Sequence, residues 1–148
     1  MQYVAYCLIF AGLFVLSSCE KKECQNPPPT LRFMLMKANG SNYITDDKAG
    51  NVTIQYTKDG RLIRVSDVRL SASPVYAIES FEMIPISFQT TDTTHFYVAV
   101  GNETPGVIQL KTYVDNSQCD GWTHASELRF NGQVVVYDNL KPGYVLTP

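Results

Sequence analysis

The chain reads as an all-β protein, an antiparallel β-sandwich of immunoglobulin-like or transthyretin-like kind, with a small β-barrel as the alternative. Three observations carry this expectation. From Leu31 onward, apolar side chains recur at every second position, the period of a strand with one buried face. Dipeptides that tolerate positive φ separate these runs, most clearly Asn131-Gly132 and Asp59-Gly60. Persuasive amphipathic helical patterns are missing, and only Asp115 to Ser126 has room for a short helical turn. Eight or nine short strands with regular turns pack as two sheets or close into a barrel.

The strands follow in order. Leu31, Phe33 and Leu35 alternate with Arg32, Met34 and Met36; Val52, Ile54 and Tyr56 alternate with Thr53 and Gln55. Asp59-Gly60 then turns the chain into Leu62-Ile63-Arg64-Val65. Ile84, Ile86 and Phe88 alternate with Pro85, Ser87 and Gln89, which predicts a strand at an edge or a bulge, because proline cannot donate to a ladder. Phe96, Val98 and Val100 alternate with Tyr97 and Ala99, and Ile108 and Leu110 with Gln109 and Lys111. Asn131-Gly132 joins Leu128-Arg129-Phe130 to Gln133–Tyr137 as a hairpin. Further breaks are expected at 38–41, 72–74, Gly101-Asn102 and Thr104-Pro105-Gly106.

The first 18 residues lack Asp, Glu, Lys and Arg, and Val4 to Leu16 is a nearly unbroken apolar run of 13 residues. That is shorter than the roughly 20 residues a spanning helix needs and fits the core of a signal peptide. It ends in Leu16-Ser17-Ser18-Cys19. Residues 1–18 are therefore read as a signal, 19–30 as a tether and 31–148 as the sandwich domain. Pro27-Pro28-Pro29 favours an extended spacer. The Met1-Gln2-Tyr3 start carries no basic side chain, a departure from the usual signal pattern. Loss of 18 of the 148 residues leaves 130, enough for one core. Cys24 and Cys119 remain beside Cys19. In an exported domain they are expected to form a disulfide, and the alternative is two free thiols.

The formal charge is −2, with 12 basic and 14 acidic residues spread along the chain. This excludes the basic stripe of a nucleic-acid binder. His95 and His124 stand apart, without the three or four converging ligands that zinc requires, and read as surface residues at a strand start and in a loop. Asp46-Asp47 and the 115–121 loop lack the alternate-residue spacing of a calcium loop. No metal or cofactor is expected. A Gly-x-Ser-x-Gly elbow is missing, and Glu79, Glu82, Glu103 and Glu127 are the carboxylates open to acid–base work. Trp122, between Gly121 and Thr123, is either a ligand-contact residue or a plug at one end of the sandwich.

Leu16-Ser17-Ser18-Cys19 resembles the lipobox of bacterial lipoproteins. That resemblance implies diacylglycerol on the Cys19 thiol, cleavage before Cys19, and an outer-membrane lipoprotein facing the periplasm or the cell surface. With the 19–29 tether and the Cys119…Phe130-Asn131-Gly132 hairpin, the chain is similar to small lipoproteins of Bacteroidota, for which Asp92-Thr93-Thr94 resembles an O-glycosylation acceptor at Thr93. The expected role is a non-enzymatic envelope module that binds a glycan or a protein partner. The alternatives are a polysaccharide or envelope hydrolase and a structural subunit of a surface assembly. The membrane, through the lipid, is the expected partner in every case, and nucleic acid in none.

Overall fold

The computed structural model describes residues 27–72, 74–90, 94–115 and 121–148. The signal peptide, Cys19, Cys24, Thr93 and Cys119 lie outside the described residues. The elements run β1 (Leu31–Leu35), α1 (Asp46–Ala49), β2 (Val52–Lys58), β3 (Arg61–Arg64), β4 (Arg69–Ala72), β5 (Tyr76–Ser80), α2 (Met83–Gln89), β6 (His95–Val100), β7 (Glu103–Val114), β8 (Thr123–Phe130), β9 (Gln133–Val135) and β10 (Tyr144–Leu146). They form a four-stranded sheet, β10-β1-β5-β4, and a six-stranded sheet, β3-β2-β6-β7-β8-β9. Neighbours are antiparallel except β1 and β10, which pair in parallel. Two open sheets make an all-β sandwich, and the barrel alternative falls.

The two-residue period builds the core. Leu31, Phe33 and Leu35 of β1 meet Ile54, Phe96, Val98, Ile108 and Leu128 from the other sheet, all of them buried. Leu146 of β10 is fully buried too and closes the four-stranded side. The two dipeptide turns form as expected. Asp59 and Gly60 take φ of 51° and 74°, and Asn131 and Gly132 take 49° and 81°, the pair of left-handed conformations that a type I′ hairpin requires.

Four expectations need correction. The alternating segment 84–88 is not a strand but lies in α2, which buries Met83, Ile84 and Ser87 and leaves Phe88 exposed. Pro85 sits in its first turn, where the missing N–H costs nothing. The amides leading into α2, from Phe81 to Met83, are bound by two side chains that precede it. Asp67 Oδ2 accepts from Phe81 N at 2.5 Å and Glu82 N at 3.3 Å, and Ser80 Oγ accepts from Glu82 N at 3.2 Å and Met83 N at 3.3 Å. Thr104-Pro105-Gly106 does not break the chain but belongs to β7. The register shift between Val98 and Val100, which pair with Gly106 and Glu103, absorbs the extra residue there. The helical turn expected within 115–126 is absent from its described part, where 123–126 open β8. His124 consequently lies on a strand rather than in a loop.

Strand register also sorts the loops onto two ends. The chain enters β1 at the end where β5 finishes, since Leu31 pairs with Ser80. To this end belong α2, the start of β6, the β2–β3 turn and the tip joining β7 to β8. The strap 136–143, which carries the chain from β9 to β10, lies there too, because β10 starts beside Phe33. Gly143 passes so near β1 that a Cβ would stand 2.5 Å from the Arg32 carbonyl oxygen. The opposite end holds residues 37–51, the Gly101 turn and the Asn131-Gly132 turn.

Candidate functional site: a polar cleft on the outer face of the six-stranded sheet

Residues that alternate with the core positions project from the other face of their sheet. On the six-stranded sheet this outer face carries Tyr97 and His95 from β6, Gln109, Lys111 and Tyr113 from β7, and His124, Glu127 and Arg129 from β8. Cross-strand pairing sets them in rows. His95 stands opposite Gln109, which stands opposite Arg129; Lys111 stands opposite Glu127, and Tyr113 opposite His124. The shift between Lys111 and Thr112 gives β8 one extra residue, Ser126, whose Oγ donates to Lys111 O at 3.2 Å. That bulge keeps Ala125 against the core while His124 stays on the outer face.

His95, Gln109, Lys111, Glu127 and Arg129 line a cleft of about 250 Å³. Their polar atoms are already paired. Gln109 Nε2 donates to His95 Nε2 at 2.7 Å. Glu127 Oε1 accepts from Arg129 Nε at 2.8 Å and from Lys111 Nζ at 3.1 Å. Arg129 and then Lys111 hold the Glu127 carboxyl below the usual glutamate range. Tyr113 and His124 stack at 5.5 Å between ring centroids, beside the cleft. Exposed pairs of this kind add little to folding, because water screens them and the side chains lose freedom, so stability is a weak reason for gathering five hydrogen-bonding side chains here. What the arrangement can do is present fixed donors and acceptors to a polar ligand.

The four glutamates open to acid–base work occupy four places. Glu79 pairs with Arg32 at 3.2 Å on the outer face of the four-stranded sheet. Glu82 accepts from Ser66 Oγ at 2.6 Å next to α2. Glu103, at the far end, accepts from Tyr43 at 2.5 Å and Lys48 at 2.7 Å. Only Glu127 lies in the cleft. Its carboxyl, like that of Glu103, is held low by its cations, the setting of a permanent anion rather than a proton donor. Trp122 is 40% exposed at the β7–β8 tip, one residue before β8. His95 opens β6 as the sequence predicts, and joins the cleft. Among the described residues, Asp46 accepts from Tyr76 at 2.8 Å, and no three His, Cys, Asp or Glu side chains gather for a metal. No helix among them is long and apolar enough to cross a membrane.

The cleft escaped sequence reasoning because β7 and β8 are joined across 115–122, a connection whose length leaves the register open. The outward placement of Gln109 and Lys111 was legible, but the register that sets Glu127 and Arg129 beside them was not. No family model matches this chain, and no curated protein or solved structure does either.

Proposed function

We propose that this chain is a lipid-anchored envelope module that binds a glycan, without catalysis, along the outer face of the six-stranded sheet. The observation that carries this reading is the row His95–Gln109–Arg129 beside Lys111–Glu127, five polar side chains held by one another along an open cleft. Sugar hydroxyls are donors and acceptors at once. Arg129 and Lys111 supply donors, Glu127 an acceptor, and Gln109 both. Tyr97 lies two positions from His95 and Tyr113 two positions from Lys111, on the same face. At about 6.8 Å per two residues, the rows from Tyr97 to Tyr113 span about 20 Å, the length of a short oligosaccharide rather than one sugar. The ring faces of the two tyrosines suit the C–H face of a pyranose, as amphipathic rings do at many contact surfaces.

The assembly reading finds weaker support, since β3, β4, β9 and β10, which edge the two sheets, are only three or four residues long, and short edges pair poorly with other chains. The hydrolase reading finds little support in glutamates that stand apart. A panel of bacterial and plant oligosaccharides titrated onto the chain by calorimetry tests the proposal. A sugar that binds, and whose affinity falls at least about tenfold in Arg129→Ala or Gln109→Ala while the circular dichroism is unchanged, supports it. Binding that survives both substitutions excludes this face.

A further inference from the structure

We propose that the end of the sandwich where the chain enters β1 is a bilayer-docking rim, on which Leu62, Phe88, Trp122, Tyr137 and Leu140 enter the interfacial layer of the membrane. The inference rests on the lipid-anchor reading above and adds which part of the domain meets the lipid.

Among the described residues, nine large apolar or aromatic side chains are exposed; six of them, Phe88, Tyr113, Trp122, Val136, Tyr137 and Leu140, belong to this end, Leu62 stands beside the β2–β3 turn, and Ile63 and Val134 lie back along β3 and β9. They come from four separate segments. Leu62, 63% exposed, follows the β2–β3 turn; Phe88, 51% exposed, stands on α2; Trp122 is at the β7–β8 tip; Tyr137 and Leu140, the latter 91% exposed, are on the strap. Each could point outward alone without meaning, but convergence from four segments onto one end is what a shared apolar neighbour produces. The opposite end lacks this character. Its turns expose Asn39, Gly40, Ser41, Gly101, Asn102 and Asn131.

The entry point of the chain names the neighbour. Thr30, the last residue before β1, shares a recess with Tyr137, Pro142 and Tyr144. The tether therefore leaves the domain beside the strap. From Cys19 to Thr30 is eleven residues, at most about 40 Å when extended, and because they join the domain at this end, bringing it to the bilayer uses the least of that reach. A single acyl anchor gives marginal binding and a second contact secures it. Tyrosine and tryptophan suit the headgroup level, leucine and phenylalanine the layer beneath. Charge at this end is mixed, Lys58, Arg61, Arg69 and Lys141 beside Asp59, Asp67, Glu82, Asp115 and Asp138, so the contact is apolar in origin and survives high salt. With this end down, the outer face of the six-stranded sheet stands upright and open to a glycan.

Trp122 is the single tryptophan of the chain, so its fluorescence reads the rim alone. The test uses the full chain, expressed with its own signal and reconstituted into phosphatidylcholine–phosphatidylglycerol vesicles with or without brominated acyl chains. We expect brominated lipid to reduce Trp122 emission about twofold, the loss to persist in 1 M salt (an order-of-magnitude choice that collapses the screening length), and Phe88→Ser with Leu140→Ser to restore most of the emission. Both side chains are exposed, so the substitutions leave the fold intact. Full emission from chains that still float with the vesicles overturns the rim while sparing the anchor, and leaves the apolar end to a protein contact. Chains that do not float overturn the anchor and the rim with it.

Discussion

Gly106 is set where no other residue fits. A Cβ there would stand 2.3 Å from Phe130 Cζ and 2.6 Å from Asn131 Oδ1, the atom that accepts from Val107 N at 2.9 Å. Gly106→Ala therefore has to displace the Phe130 ring and the Asn131 turn, and we expect a loss of about 1–3 kcal/mol in urea unfolding; an unchanged midpoint would show that the ring is not held. Glu127 gives a second prediction at this scale. Arg129 first, and Lys111 second, hold its carboxyl low in the folded chain. A depressed folded value adds stability above the unfolded value and loses it as pH falls through the folded one, so the effect belongs to the acid limb, below the ordinary glutamate range. In Arg129→Ala the carboxyl midpoint, followed by carbon NMR, should move upward, and a static midpoint contradicts the pairing. Both sites illustrate how far the sequence reaches. The hairpin at Asn131-Gly132 is legible because two adjacent residues tolerate positive φ. The fit of Gly106 beneath Phe130 is not, because the two meet only after β7 and β8 pair.

At the scale of elements, α2 is the instructive case. Ile84, Ile86 and Phe88 alternate as a strand would, yet the segment coils. Seven residues are too few for a helical period to outweigh a chance period of two. The deciding partners are Ser80, close in sequence, and Asp67, which is not. Ser80 Oγ accepts from Met83 N, the first amide of the helix, and Asp67 Oδ2 fixes the two residues that lead into it, Phe81 and Glu82. We predict that Asp67→Ala and Ser80→Ala each cost about 1–2 kcal/mol and loosen amide exchange in 83–89 before the sheets; uniform loosening would place the role of these residues elsewhere. The strands read correctly, β2 and β6 among them, are those where one face meets the core and the other is at least partly open to water. Outward-pointing Met34 is only 2% exposed, since the surface that it shares with Met36, Val75 and Val145 is a groove rather than open sheet. Alternation describes such a position only half.

For the molecule as a whole, the four-stranded sheet pairs the first strand of the domain with the last. β1 opens the domain and β10, from its last residues, lies parallel beside it with Leu146 at 0% exposure. Closing that pair requires contacts across more than a hundred residues, which sequence patterns cannot register. Leu146→Ala should cost about 2–5 kcal/mol by the loss of buried methyl groups and the cavity left behind, checked by thermal or urea unfolding; a cost near zero would mean that β10 does not hold the core. Fold class was legible because it depends on period and turns, which are local. The cleft was not, because it depends on register across the β7–β8 connection. The claim on which the functional account turns is that ligand meets the outer face of the six-stranded sheet. The most direct measurement is amide chemical-shift mapping of the labelled chain during titration with the oligosaccharide that binds best. The account predicts that shifts concentrate at His95, Gln109, Lys111, Glu127 and Arg129 with saturation at a single affinity. Shifts centred on the four-stranded sheet or on the polar end, with those five amides unmoved, would contradict it.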